Sequence, residues 1–333
     1  MLDDYRRGHV ERISPEAPVP ILGIVGRESA LGGAGNVVRN LCSLGADVAV
    51  AGVVGDDETG KRIIQELASL GVDSAGVAKD PQRVSTRKIR YVSIEHGQQV
   101  FRADEESTHP VHGHVQAEVI RSIKEKIRDA QIVLCSDYLK GVLNPAVLTA
   151  CFGAGRESNV PVLVAPKDSN PQKYTGATML MPNLKELARL VGAQANGLDW
   201  LTQAAEALMA DHALEAMVVT RGSEGMSLFE TVDGKLRRMD IPTVARNVYD
   251  VTGAGDTAIS AFAVAMAAGA DRETAVRLAN AAAGIVVGKH GTASVTVEEL
   301  REYLGEREPH SIGGSNPAKN ALASPSLQES RKA

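Results

Sequence analysis

Apolar residues along the chain switch between two spacings. From Ala34 to Leu44 they recur every three or four positions, as on a helix with one buried face, and AVAGVVG from Ala49 to Gly55 follows as a short apolar run. A second helical repeat runs from Glu58 to Leu70. The alternation continues through IVLCSDY at Ile132, VLVAP at Val162, MLMPN at Met179 and AMVVTRG at Ala216. Apolar strands separated by one-faced helices predict an α/β fold: a doubly wound, mostly parallel sheet flanked by helices.

Two stretches break this rhythm. They are Val10 to Ala30, containing ISPEAPVPILGIVG, and Val84 to Ala103, VSTRKIRYVSIEHGQQVFRA. In the second, alternation at every other residue brackets Gly97, which predicts an antiparallel hairpin. Together they predict a small β-sheet lid with segments at about 8–30 and 83–106 of a single domain, 1–304. The polar, Pro/Gly/Ser-rich stretch 305–333 is expected to be a disordered tail. A doubly wound sheet normally opens on an apolar strand, and MLDDYRRG supplies none, so that strand is expected to be missing.

Composition narrows the partners. A hydrophobic fraction of 44% supports a sizeable core, while runs such as AISAFAVAMAAGA fall short of the ~20 residues of a membrane span. No membrane partner is expected. A net charge of -5 lacks the basic surface that recruits nucleic acid, so none is expected either. Cys42, Cys135 and Cys151 are odd in number and form no CxxC pair, which points away from a disulfide framework and towards the cytoplasm.

Three near-motifs read as ordinary structure. GDDETGKR at Gly55 lacks the hydroxyl residue of a P-loop, and its acids would repel phosphates; they suit a helix start instead. GAGDTA at Gly253 resembles a dinucleotide fingerprint, but two successive helices, Ala254 to Ala268 and Arg272 to Gly288, follow it in place of a βαβ unit. The histidines of HPVHGH have no carboxylate or thiol at ligand spacing and read as loop residues.

VYDVTGAGDTAISAFAVA, Val248 to Ala265, carries the chemistry. Small residues opening a helix expose backbone N–H groups to an anion, and Asp256 stands beside them. A helix cap explains one aspartate in that turn; phosphoryl transfer to an alcohol explains a base next to an anion cradle.

DVTGAGDT at Asp250 to Thr257 resembles the C-terminal signature of the ribokinase-like (pfkB) sugar kinases. The resemblance implies that Asp256 is the catalytic base and that Gly253, Ala254 and Gly255 form the anion hole. LGGAGNVVRNLCSLGA at Leu31 is similar to the N-terminal signature, which implies sugar contacts from Gly32, Gly33 and Asn36. MPNLKEL resembles the NxxE motif, implying ATP and Mg2+ contacts from Asn183, Leu184, Lys185 and Glu186, with Glu186 reaching the metal through water. TRGSEGM and NAAAGIVVGKHGT resemble the nucleotide turn and the adenine-side helix, bringing in Thr220, Gly222, Gly225 and Asn280.

RISPEAPVPIL at Arg12, with MLDDY, SDYLKGVL and VVGKHGT, is similar to the members that phosphorylate O1 of D-glycero-β-D-manno-heptose 7-phosphate, in lipopolysaccharide core synthesis. That implies Asp3, Arg102 and Lys140 as further substrate contacts, with Arg87 and Arg90 as other cations of the hairpin. It also implies a homodimer through the lid, with a monovalent cation as an optional activator. One motif departs: the family's DPK reads Ala165–Pro166–Lys167 here. Two rivals stay open, a related kinase for a neutral sugar or nucleoside and a catalytically silent sugar-phosphate binding protein.

Overall fold

A computed structural model describes residues 1–95, 97–192, 199–245, 248–289 and 293–305. Residues 306–333 of the expected tail, and His290, Gly291 and Thr292 of VVGKHGT, lie outside the described residues.

The chain opens with β1 (Leu2–Ile13) and β2 (Pro20–Leu31), paired antiparallel. Next come α1 (Ala34–Ser43), β3 (Ala49–Gly55), α2 (Glu58–Ser69) and β4 (Asp73–Asp80). The hairpin expected around Gly97 is β5 (Arg87–Ser93) with β6 (Gln99–Glu105). Then come α3 (Gly113–Lys126), β7 (Val133–Ser136), α4 (Pro145–Ser158), β8 (Val162–Ala165), β9 (Met179–Leu180), α5 (Leu184–Val191), α6 (Trp200–His212) and β10 (Ala216–Thr220). An antiparallel pair, β11 (Met226–Val232) and β12 (Lys235–Ile241), precedes α7 (Ala254–Ala267), α8 (Arg272–Val286) and α9 (Val297–Gly305).

Among the described residues the strands form three sheets. The largest runs β12-β11-β10-β9-β8-β7, parallel from β7 to β10. β3 and β4 form a parallel pair, and the lid is β2-β1-β5-β6. The doubly wound α/β plan holds, with a smaller accessory sheet.

Strand periodicity explains why the large sheet is covered on both faces. In β10, Val218 joins a core with Leu228 and the helices α7 and α8, while its neighbours Met217 and Val219 join Phe229, Phe152 and Leu187 on the other side. α7 is apolar around its circumference, and Ile259 and Phe262 are buried. Such a helix is stable only inside, which is why it packs between α1 and α8.

β1 starts at Leu2, so MLDDYRRG itself builds the first lid strand, nearer the start than position 8. Its Asp3 and Asp4 are buried, and arginines of the parallel neighbour β5 meet them: Arg90 Nη1 donates to Asp3 Oδ1 at 2.6 Å, and Arg87 pairs with Asp4.

Candidate active site

α7 follows Gly253, whose φ of +82° is a left-handed conformation open to glycine, and among the described residues no side chain caps the helix start. Ala254 N–H turns to Val251 O at 3.2 Å, whereas a Cβ added at Gly255 would meet nothing within 4 Å among the described residues. Among the described residues, the positive end of a buried helix therefore opens without a neighbour at Gly255. Asp250 shapes the approach, its Oδ1 accepting Thr252 N–H at 2.9 Å.

Asp256 lies half-buried in the first turn of α7. Asn36 Nδ2 donates to its Oδ2 at 2.9 Å, and the Tyr138 hydroxyl donates to its Oδ1 at 2.6 Å. Burial raises the Asp256 pKa above the usual 3.8; the two hydrogen bonds and the charge of Lys167 oppose that rise, and Asp3 adds to it. The result is a carboxylate more basic than an exposed aspartate.

Buried polar contacts fix Asn36 relative to Asp256. Thr257 Oγ1 donates to Asn40 Oδ1 at 2.9 Å, Asn40 Nδ2 donates to Asn36 O at 2.9 Å, and Ser260 Oγ donates to Val37 O at 3.2 Å. Asn36 itself is 1% exposed, and its Oδ1 has no partner among the described residues. An unmet buried acceptor costs about 1–3 kcal/mol, a cost that a ligand hydroxyl removes. Gly32 and Gly33 complete this wall: a Cβ at Gly32 would land on the Asp3 carboxylate. The structure thus brings Asp3, Gly32, Gly33, Asn36 and Asp256 to one place.

Tyr138 was not among the residues picked out from the sequence, nor was its support. Asp137, 3% exposed, accepts Leu139 N–H at 2.9 Å on Oδ1, and on Oδ2 it takes Lys173 Nζ at 2.7 Å and the Tyr174 hydroxyl at 2.8 Å. The Tyr174 oxygen in turn accepts the backbone N–H groups of Lys167 (3.1 Å) and Asp168 (2.9 Å). Lys167 pairs with Glu186, and its ammonium lies 5.8 Å over the Tyr138 ring. A continuous network runs from Asp256 through Tyr138 and Lys167 to Glu186. One signal pointed there: these residues follow the carboxyl ends of β7 and β8, where open α/β sheets place ligands.

Asn183 caps α5 in a capping box, its Oδ1 accepting Glu186 N–H at 2.9 Å while Glu186 Oε2 accepts Asn183 N–H at 2.8 Å. Lys185 is exposed and Leu184 half-buried, so the lysine that meets Glu186 is Lys167. Thr220 bridges to Asn183 at the end of β10, and Gly222 and Gly225 form the turn beyond it, at φ +61° and +90°. Asn280 is buried in α8, where its Nδ2 donates to Pro242 O at 2.7 Å. Among the described residues no group of three or more His, Cys, Asp or Glu gathers for a metal. Glu186 offers hard carboxylate oxygens, the ligand type magnesium takes, although Lys167 and Asn183 N–H already bond to them.

On the lid, Arg102 faces Arg90 across the β5–β6 ladder, is half exposed, and pairs with Asp104 at 2.9 Å. Lys140 pairs with Glu106 at 2.6 Å. The P-loop-like stretch is a helix start: Asp57 caps α2, accepting Gly60 N–H at 2.7 Å.

The profile of the pfkB family carbohydrate kinases matches residues 10–299. The chain is 46% identical over 311 residues to the bifunctional protein HldE of Geotalea uraniireducens (strain Rf4), covering 93% of this chain and 62% of that protein. It is 44% identical over 304 residues to the HldE of Mesorhizobium japonicum, covering 91% and 60%. The chain thus spans about three fifths of the length of these curated relatives. The fold is shared with phosphofructokinase-2 of Escherichia coli in complex with potassium, at a TM-score of 0.74 and 19% identity over 92% of this chain and 95% of that one. Ribokinase of Arabidopsis thaliana, complexed with ribose and ATP, superposes at 0.69 with 22% identity over 91% and 95%.

Proposed function

The chain belongs to the pfkB family of carbohydrate kinases, and we propose that it transfers the γ-phosphate of ATP to O1 of D-glycero-β-D-manno-heptose 7-phosphate. The products are heptose 1,7-bisphosphate and ADP. The carrying observation is Asp256: a carboxylate made more basic by burial, at the uncapped start of α7, beside the unpartnered Oδ1 of Asn36.

In this reading Asp256 takes the acceptor proton as the hydroxyl oxygen bonds to the γ-phosphorus. The bond from that phosphorus to the β–γ bridging oxygen breaks, and ADP leaves with the electron pair. The Gly253–Ala254–Gly255 turn steadies the charge of the transferred group, with the open space at Gly255 as its closest approach. Asp3, Gly32, Gly33 and Asn36 hold the sugar, and the Asn36 Oδ1 accepts one of its hydroxyls. Asn183, Leu184, Lys185, Glu186, Thr220, Gly222, Gly225 and Asn280 make the nucleotide side. Glu186 would hold magnesium through water, and the ion when bound would neutralise phosphate charge.

The choice of sugar rests on the RISPEAPVPIL resemblance and on the kinship with HldE proteins. Arg102 and Lys140 then exchange Asp104 and Glu106 for the 7-phosphate, a match for charge-assisted contacts. A homodimer joined through the lid, where Ile13, Val25 and Phe101 are exposed, belongs to the same reading. So do a cytoplasmic location, where ATP is made, and a response to a monovalent cation.

A second reading has one observation in its favour. Arg102 and Lys140 already have carboxylate partners, and a neutral sugar would leave those pairs intact. A coupled ADP-release assay over heptose 7-phosphate, fructose, ribose and adenosine separates the two, with Asp256→Asn as the control. Turnover confined to the neutral compounds would sink the heptose assignment.

A further inference from the structure

Asp256 is the proposed base, yet its two oxygens are held by residues from two separate segments. Asn36 comes from α1, and Tyr138 from the connection between β7 and α4. We propose that Tyr138 is a positioning residue for this base: its hydroxyl fixes Oδ1 while Asn36 fixes Oδ2, setting the plane in which the carboxylate meets the acceptor hydroxyl. The proposal rests on the reading of Asp256 as the base.

The connection is built to aim this ring. Leu139, directly after it, has φ +55°, a left-handed conformation unfavourable for a residue with a branched side chain. Asp137, directly before it, accepts the Leu139 N–H and is itself gripped by Lys173 and Tyr174. The Lys167 ammonium covers the Tyr138 ring, and a Cβ placed on Gly33 would stand 3.4 Å from its Cε2. Orientation is thus imposed from several sides.

The hydroxyl is also kept a donor. Burial, followed by the neighbouring Asp256 charge, pushes the Tyr138 pKa far above its usual 10. Near neutrality it therefore gives a hydrogen bond and takes no charge. Each Asp256 oxygen accepts one bond from the protein and retains a lone pair for the incoming proton. Among the described residues, the charged or titratable groups facing the carboxylate are Asp3 of β1, Tyr138 after β7 and Lys167 after β8; Glu186 of α5 acts on Tyr138.

The test reads the carboxylate directly in the full chain, by 13C NMR titration of the Asp256 side chain without substrate. Tyr138→Phe is expected to raise the Asp256 midpoint by about one pH unit, because a donor to the charged form is lost. Incorporation of 3-fluorotyrosine at 138, a stronger donor of nearly the same shape, is expected to lower it. In ADP-release assays Tyr138→Phe should reduce kcat roughly ten-fold and move the acid limb up, with KM for ATP changed less than about two-fold. A midpoint that stays put in both proteins overturns the proposal. Should the Phe protein lack a cooperative melt, the fluorotyrosine protein decides by the same criterion. If the NMR midpoint moves as expected while the acid limb of turnover does not, the placement of Tyr138 stands and Asp256 falls as the base.

Discussion

The lid and the α1–α7 junction treat carboxylates in opposite ways. In the lid, Asp3, Asp4 and Asp104 face Arg90, Arg87 and Lys88, and the hydrogen bond from Lys88 holds Asp104 below its usual pKa of 3.8. At the junction, neutral donors hold Asp256, and burial keeps its pKa raised. Asp104 is thereby favoured as an anion, while burial makes Asp256 an acceptor suited to taking a proton. A cationic partner lowers the one, and burial, outweighing the neutral donors, raises the other.

The sharpest way to break this contrast is Asp256→Asn. It should lower kcat by ~10²–10⁴-fold in an ADP-release assay, and near-normal turnover would remove Asp256 as the base. Next in size is the support beneath it. Phe262 is 0% exposed in α7, and Phe262→Ala should cost about 3–5 kcal/mol in urea unfolding. A loss below about 1 kcal/mol would mean that the core under the junction re-closes around the gap.

Arg102→Ala probes the other pole. It should raise KM for heptose 7-phosphate about ten-fold, while unfolding stability changes by less than about 1 kcal/mol, as for an exposed pair. An unchanged KM would end its assignment to the substrate. The smallest effect is a pH dependence. With its folded pKa raised above 3.8, Asp256 binds a proton more tightly folded than unfolded; its contribution to stability is full below 3.8 and is lost as pH rises through the folded value. Asp256→Asn should therefore gain on the unsubstituted protein as pH climbs from 3.8, then level off. Urea melts at several pH values would contradict the raised pKa if the variant lost ground instead.

The parts of the fold that the sequence made legible were those with a local apolar pattern. α1, α2 and α8 present a periodic face to a core, while α7 and the strands from β3 to β10 that carry apolar runs are marked by continuous apolar stretches. β1 did not announce itself. LDDY buries two aspartates, tolerable only because Arg87 and Arg90 arrive from a strand far along the chain. No local pattern encodes that meeting. The same limit hid Tyr138: the DVTGAGDT turn marks Asp256, but a hydroxyl arriving from 118 positions away leaves no trace in spacing.

The Tyr174 oxygen joins two loops, through Asp137 on one side and the backbone of Lys167 and Asp168 on the other. Neither loop can drift alone, so substitutions in them will not be independent. Asp137→Asn and Tyr174→Phe should show coupling in a double-mutant cycle: the double variant should cost less than the sum of the single ones, because the bond between the two can be lost only once. During divergence these two positions are therefore expected to change as a pair, or to stay as they are.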